Sequence, residues 1–367
     1  MFPVLYHNWN SKSIYAILEF MRILAIETSC DETAICLLEA TKTPTGVEFC
    51  VINNITHTQL EHVKFGGVFP AIAKREHLIN LPIILDQIMK DQKKPDMVCV
   101  THGPGLEPAL WCGITFAKEL GEKWSIPVIP VNHMEEHILS VLVPNIQNKF
   151  SFNNTIQFPA LALLISGGHT EIILVNDIGD YKIIGKTRDD AVGEAFDKVA
   201  RMMHLSYPGG PEISKLASQF TGKKTLEFPR PMLHTKDYDF SFSGLKTAVL
   251  YHIQSLGENI SEENKQEIAH EFQNAVADVL IKKITRAIDE FGAQALIIGG
   301  GVAANTFIIK SFREKLAGDF SDVILHTPIQ GLTGDNALMI ALAGYFKIQK
   351  NPDANYGDIK AVGNLEL

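Results

Sequence analysis

Two histidines at i and i+4, His133 and His137, bracket two carboxylates in the run His133-Met134-Glu135-Glu136-His137, directly after the apolar stretch Pro127 to Val131. On a helix these positions share one face, so both imidazoles can reach a single divalent cation. A lone histidine on such a helix is usually structural; a pair beside carboxylates points to a metal. The same residues also match H-x-x-E-H, the inverted zinc-protease signature, in which Glu136 would polarise a zinc-bound water. An oxygen ligand from elsewhere would complete a site with positions left open for substrate. Asp335, in Thr333-Gly334-Asp335-Asn336, is placed for that role on a loop from a distant part of the chain, its plain alternative being a cap on the helix that follows.

Three glycine-bearing turns could bring backbone N–H groups close to an anionic or ribosyl ligand. Ser166-Gly167-Gly168-His169-Thr170 joins two strands and would serve equally as an ordinary hairpin turn. Gly299-Gly300-Gly301 lies between a buried strand and a helix whose start is marked by Asn305, where a helix N-terminus can meet phosphate. A tight packing turn is the competing explanation there, as it is for Tyr207-Pro208-Gly209-Gly210-Pro211. Neither a P-loop nor the spaced dinucleotide fingerprint is present.

The elements that must hold these residues alternate between strand and helix. Ile23 to Glu27, Ala34 to Leu38 and Val47 to Ile52 read as strands, and the design returns at Leu161 to Ile165, Glu171 to Val175 and Tyr181 to Gly185, a hint of duplication. Helical stretches are expected at Ala71 to Met89, Ala109 to Trp124, Lys198 to Met203, Lys265 to Phe291 and Asn336 to Ile348, with buried strands at Met97 to Thr101 and Ala295 to Ile298. A length of 367 residues favours two lobes over one small core.

Composition excludes several classes. The hydrophobic share of 46% fits a packed globular protein rather than a disordered chain. A formal charge of -9 repels polyphosphates at long range, so work on nucleic acid would need a local basic strip or a partner. Lys74, Arg75, Lys223, Lys224, Lys282, Lys283 and Arg286 are too scattered to declare one. Cys30, Cys36, Cys50, Cys99 and Cys112 form no C-x-x-C pair and suit a reducing cytoplasm. No apolar run is long enough to span a membrane. Residues 1–20 resemble neither a secretory signal nor a transit peptide and read as an extension before a first strand that opens at Met21.

Taken together, the segments MRILAIETSCDET, GPGLEPAL, VNHMEEH, LISGGHTE, GEAFDKVA, YPGGPEISKLA, DFSFSGLKTA, GGGVAAN and TGDNALMIALAG resemble the TsaD family, once described as O-sialoglycoprotein endopeptidases, from Met21 to about Gly344. The resemblance implies an α/β, two-lobed actin-like ATPase (ASKHA) fold with duplicated mixed sheets flanked by helices. Lobe limits would fall at 21–130 and 131–335, with 336–367 a final helix and tail that returns to the first lobe. It implies transfer of threonylcarbamoyl from threonylcarbamoyl-AMP to N6 of the adenosine just 3′ of the anticodon, in tRNAs reading codons that begin with adenine. Metal ligands would be His133, His137 and Asp335, holding one Fe(II) or zinc ion. Nucleotide contacts would be Leu164, Ile165, Ser166, Gly167, Gly168, Asp197, Gly210 and Asn305. A further contact that many members supply as aspartate is Ser214 here, and the usual G-L-V-G-A-L is Gly105-Leu106-Glu107-Pro108-Ala109-Leu110. A TsaB-like scaffold and a TsaE-like ATPase are the partners implied, in the cytoplasm and without a membrane.

Three other readings compete. A zinc metalloprotease would use HMEEH but has no need of the glycine turns. A kinase of the actin-like fold would be expected to carry an aspartate in the first strand-turn-strand loop, where this chain has Ile26-Glu27-Thr28-Ser29, with Asp31 close behind. An inactive scaffold relative would lack the histidine pair.

Overall fold

Short apolar runs, continuous where a strand is buried on both faces, build two sheets of the same wiring. In the computed structural model, which describes residues 19–144, 149–152, 156–257 and 260–367, the first sheet contains β1 (Phe20–Glu27), β2 (Glu32–Thr43), β3 (Gly46–Thr58), β4 (Met97–Gly103), β5 (Val128–Asn132) and β6 (Lys149–Phe152). The expected extension 1–20 lies outside the described residues as far as residue 18. Strand order is β5-β4-β1-β2-β3-β6, with β1, β2 and β3 antiparallel and β4 and β5 parallel to β1. The second sheet contains β7 (Ala160–Ile165), β8 (Thr170–Asp177), β9 (Asp180–Lys186), β10 (Ala295–Gly299) and β11 (Ile324–His326), in the order β11-β10-β7-β8-β9 with the same directions. The hint of duplication is thus a repeated topology. Strand β6 adds to the edge of the first sheet, which therefore draws on residues from both sides of position 130.

Successive strand residues point to opposite faces, and the core divides accordingly. Leu24 and Ile26 of β1 pack under α1 (Pro70–Met89) and α2 (Glu107–Trp124), whereas Ile23 and Ala25 face the space between the sheets. In β7, Ala162 and Leu164 share that middle layer, and Leu161, Leu163 and Ile165 face the far side. The far side is covered by α4 (Val192–Met202), α5 (Gly209–Gln219), α6 (Ser243–Leu256), α7 (Glu262–Phe291) and α8 (Thr306–Asp319). Two helices fill the middle layer: α3 (His133–Leu139) and α9 (Ala337–Lys350), the latter packed against β1 and β2. A helix apolar all round is one that is buried, and α9 is buried from Ala337 through Tyr345.

All five cysteines are free thiols, and among the described residues no helix is long and apolar enough to cross a membrane. Several of the scattered cations are committed internally. Lys283 is fully buried and donates to Thr235 Oγ1 (2.9 Å), Arg286 donates to the Thr235 carbonyl (2.6 Å), and Lys224 pairs with Glu271 (2.8 Å).

Glu271, buried on α7, also accepts from Phe228 N–H (3.1 Å) and from the Arg230 guanidinium. Burial alone would raise its carboxyl, but Arg230, Lys224 and the Phe228 N–H outweigh it and hold it below the usual carboxylate range. A depressed folded-state pKa contributes stability that is present above the unfolded value, about 4.3 for glutamate, and is lost as pH falls through the folded value. Glu271→Gln is expected to lose roughly 2 kcal/mol at neutral pH, and thermal melts between pH 7 and pH 3 should show a weaker acid dependence than the parent chain.

Candidate functional site

Helix α3 begins where β5 leaves the first sheet, and Asn132 caps it: its Oδ1 accepts from the N–H groups of Met134 (2.8 Å) and Glu135 (3.4 Å). The cap fixes the first turn, and with it the two imidazoles. The His133 and His137 ring centroids lie 4.8 Å apart. Asp335 enters from the loop before α9 and places Oδ1 3.6 Å from His133 Nε2 and 3.4 Å from His137 Nε2. Asn336, not Asp335, caps α9, its side chain accepting from Met339 N–H (3.3 Å), which leaves the Asp335 carboxylate free to face the rings.

The donor set fits a divalent ion. His133, Glu136, His137 and Asp335 offer ligand atoms all within 4.8 Å of one another. Among the described residues neither ring nitrogen of the buried His137 has a hydrogen-bond partner, an arrangement that costs free energy unless something fills it. Burial would raise the Asp335 carboxyl, but the imidazoles of His133, His137 and His169 outweigh it and hold the carboxyl well below the usual range. Burial disfavours the charged form of His133, yet Glu136, Asp335 and Glu27 raise it well above an ordinary imidazole. His169 is pushed down to about 4 by burial and by those two histidines, and is neutral at pH 7.

Glu136 belongs to the other side of the ring. Its Oε1 lies 2.5 Å from His133 Nδ1, and Glu27 Oε2 lies 3.6 Å from the same nitrogen. Glu27 is fully buried and accepts from Ser29 N–H and Thr101 Oγ1. Burial and the neighbouring Glu27 raise the Glu136 carboxyl well above its usual range, against the lowering pull of His133. Carboxylates behind a ligating imidazole orient it, and Glu136 makes its close contact with Nδ1 while Asp335 approaches Nε2.

The glycine turns divide between packing and openness. A Cβ on Gly299 would lie 2.7 Å from the His137 carbonyl, and one on Gly300, at φ +87°, would lie 2.5 Å from the Ile165 carbonyl. Both are close-packing glycines, and they join α3 to the Ser166 turn. Gly167, Gly168, Gly210 and Gly301, by contrast, have open space where a side chain would be. Ser166 Oγ accepts from Gly168 N–H (3.3 Å) and His169 N–H (3.0 Å), so the turn is held by its own serine. Leu164 and Ile165 bury their side chains in the two core layers, leaving only backbone for a ligand.

Asp197 and Asn305 each have structural work. Asp197 Oδ1 accepts from Gly209 N–H (2.7 Å) at the start of α5. Asn305 caps α8 through Phe307 and Ile308 N–H and donates to Gln273 Oε1 (2.9 Å). Asp197 also lines a cleft of about 250 Å³ with Val63, Gly66, Arg201, Tyr207 and Gly209. Arg201 crosses this cleft to donate to the Gly66 carbonyl (2.5 Å). Ser214 lies on α5. The sequence reading missed Glu27 and His169 as site residues. A charged residue ending an otherwise apolar strand, Ile23 to Ile26 then Glu27, was the available signal.

Two sheets of like wiring, each flanked by helices, make an actin-like ATPase fold, and the histidine–carboxylate cluster lies in the layer between them. The chain aligns with full-length HypF in its phosphate- and nucleotide-bound form at a TM-score of 0.59 and 14% identity, over 91% of this chain and 47% of that one. The HypF of T. kodakarensis gives 0.56 at 13% identity, over 90% of this chain and 48% of the other. This chain therefore spans about half of either HypF, and the likeness concerns fold alone. The family model TsaD, tRNA N6-adenosine threonylcarbamoyltransferase, matches residues 50–342. A relative of that name from Thermosipho africanus is 42% identical over 355 residues, covering 95% of this chain and all of the relative. Another from Streptococcus gordonii is 41% identical over 329 residues, covering 88% and 90%. The chain belongs to the TsaD family.

Proposed function

We infer that this chain is a tRNA N6-adenosine threonylcarbamoyltransferase, forming threonylcarbamoyladenosine in tRNAs that read codons beginning with adenine. The observation that carries the reading is the convergence of His133, His137 and Asp335, from two distant stretches of a chain in this family, on one buried point.

The donor is threonylcarbamoyl-AMP. The N6 amine attacks the carbamoyl carbon, the bond from that carbon to the AMP phosphate oxygen breaks, AMP leaves with the electron pair, and the amine releases a proton. An amine of this kind is a weak nucleophile and AMP is a good leaving group, so alignment and charge stabilisation matter more than a covalent enzyme intermediate. His133, His137 and Asp335 would hold one divalent ion, Fe(II) or zinc, since imidazole and carboxylate accept either. When bound, that ion supplies Lewis-acid polarisation. Glu136 and Glu27 hold the His133 ring in the orientation that presents Nε2. The Leu164 to Gly168 backbone and Gly210 receive the adenylate where no Cβ intrudes, and Asp197, which caps α5, and Asn305, which caps α8, orient it.

The acidic net charge of -9 favours work in a complex whose other members supply basic surface for tRNA. A TsaB-like scaffold and a TsaE-like ATPase in the cytoplasm are the partners proposed. The test is to incubate the chain, threonylcarbamoyl-AMP, these partners and unmodified tRNA, then digest to nucleosides for mass spectrometry. The modified adenosine is expected; its absence, with peptide hydrolysis in its place, would transfer the assignment to a protease.

A further inference from the structure

Beyond α9 the chain runs back across the first sheet and ties itself to the scaffold of the metal cluster. Ile359 is buried beneath α1 and α2, and Lys118 Nζ holds both Asp358 Oδ1 and the Ile359 carbonyl at 2.9 Å. Val362 N–H then donates to the His102 carbonyl (2.9 Å), and Gly105 N–H donates to the Gly363 carbonyl (3.1 Å). The segment thus pairs with the loop between β4 and α2. Gly103, at φ +156°, permits the approach, because a Cβ there would collide with the Val362 carbonyl. Gly363 N–H reaches Glu107 Oε1 at 3.4 Å, so the glutamate that departs from the family pattern has a partner. The same loop holds the turn between β1 and β2, Leu106 N–H donating to the Ser29 carbonyl (2.8 Å), and Ser29 N–H binds Glu27 behind His133.

The far end of the segment meets the metal helix directly. Asn132 Nδ2 donates to the Glu366 carbonyl (3.1 Å) while its Oδ1 caps α3. A planar amide fixed at both ends has one orientation, and the next residue is His133. Glu366 Oε1 also pairs with Lys186 Nζ (2.8 Å) at the end of β9, but that contact is exposed and contributes little.

We propose that residues 362–366 form a strap that orients the metal-holding helix through Asn132, with Glu107 as its second anchor. Asn132 is then a positioning residue, and the proposal rests on reading His133, His137 and Asp335 as metal ligands. The strap works by removing freedom from the ligand helix, as outer-shell partners do for first-shell imidazoles, where their loss weakens metal binding by about 10–100-fold.

The discriminating variant is Asn132→Asp in the full chain. Aspartate keeps the oxygen that caps α3 but replaces the N–H donor with an oxygen facing the Glu366 carbonyl. Zinc affinity, measured by competition with a chromophoric chelator, is expected to fall about tenfold, while far-UV circular dichroism and the melting curve confirm a folded protein. Gly103→Ala, which pushes Val362 away, should weaken zinc binding in the same direction, and the double variant should bind no worse than the weaker single variant, because both act on one path, from residues 362–366 through Asn132 to α3. Glu366→Gln, which loses only the exposed ion pair, should bind as the parent does. Unchanged zinc affinity in Asn132→Asp, or losses that add in the double variant, would overturn the strap and leave the metal assignment standing. A parent chain that binds neither zinc nor Fe(II) would overturn the metal assignment and the strap together.

Discussion

Replacing His133 or Asp335 by alanine is expected to remove metal retention and threonylcarbamoyl transfer together, with the protein still folded. Each side chain supplies one of the three atoms that converge between the sheets, and removing an inner ligand should weaken binding by more than the roughly 10–100-fold that outer partners command. Metal content by plasma emission and modified nucleoside by mass spectrometry are the paired readouts. Glu27→Gln should fall between these variants and the parent: it keeps the shape behind His133 but removes the charge that stabilises its orientation. Full transfer by a metal-free His133→Ala protein would sink the catalytic role given to the cluster, whatever the fold.

Gly299→Ala is expected to cost about 2 kcal/mol and to disturb the cluster from a distance. The added methyl would sit 2.7 Å from the His137 carbonyl and 3.1 Å from Leu164 Cδ2. Neither β10, inside the second sheet, nor the short helix α3 can yield without moving the other, and overpacking of this kind costs about 1–3 kcal/mol. Relief requires α3 to shift, and with it His137. A chemical-denaturation midpoint should fall, and zinc affinity should fall with it. Gly301→Ala, two residues on and facing open space, should leave stability within about 0.5 kcal/mol; a loss of adenylate binding in that variant alone would separate the ligand face of the triplet from its packing face.

The strands and long helices were legible because their periodicity is local. Ile23 to Ile26 and Leu161 to Ile165 are continuous apolar runs of strand length ended by polar or glycine-bearing turns, and the structure has them at β1 and β7. Helices α5 and α6 were not read. The first begins in Gly209-Gly210-Pro211, residues that resemble a turn and become helical because Asp197, from α4, caps the first N–H. The second begins where Asp189 accepts from Phe242 and Ser243 N–H (2.8 and 3.2 Å). In both cases the cap comes from another element, so no window of neighbouring residues contains the start signal.

Spacing along one helix determined that His133 and His137 share a face, and motif content pointed to the family; both are properties of short stretches of chain. Tertiary packing alone decided that Asp335 turns to the rings while Asn336 does the capping, that Glu136 stands behind His133 beside Glu27, and that Glu107 meets Gly363. The reason is physical: a side chain's direction follows from its own backbone, but the group it meets depends on how two sheets and the helices between them close on one another.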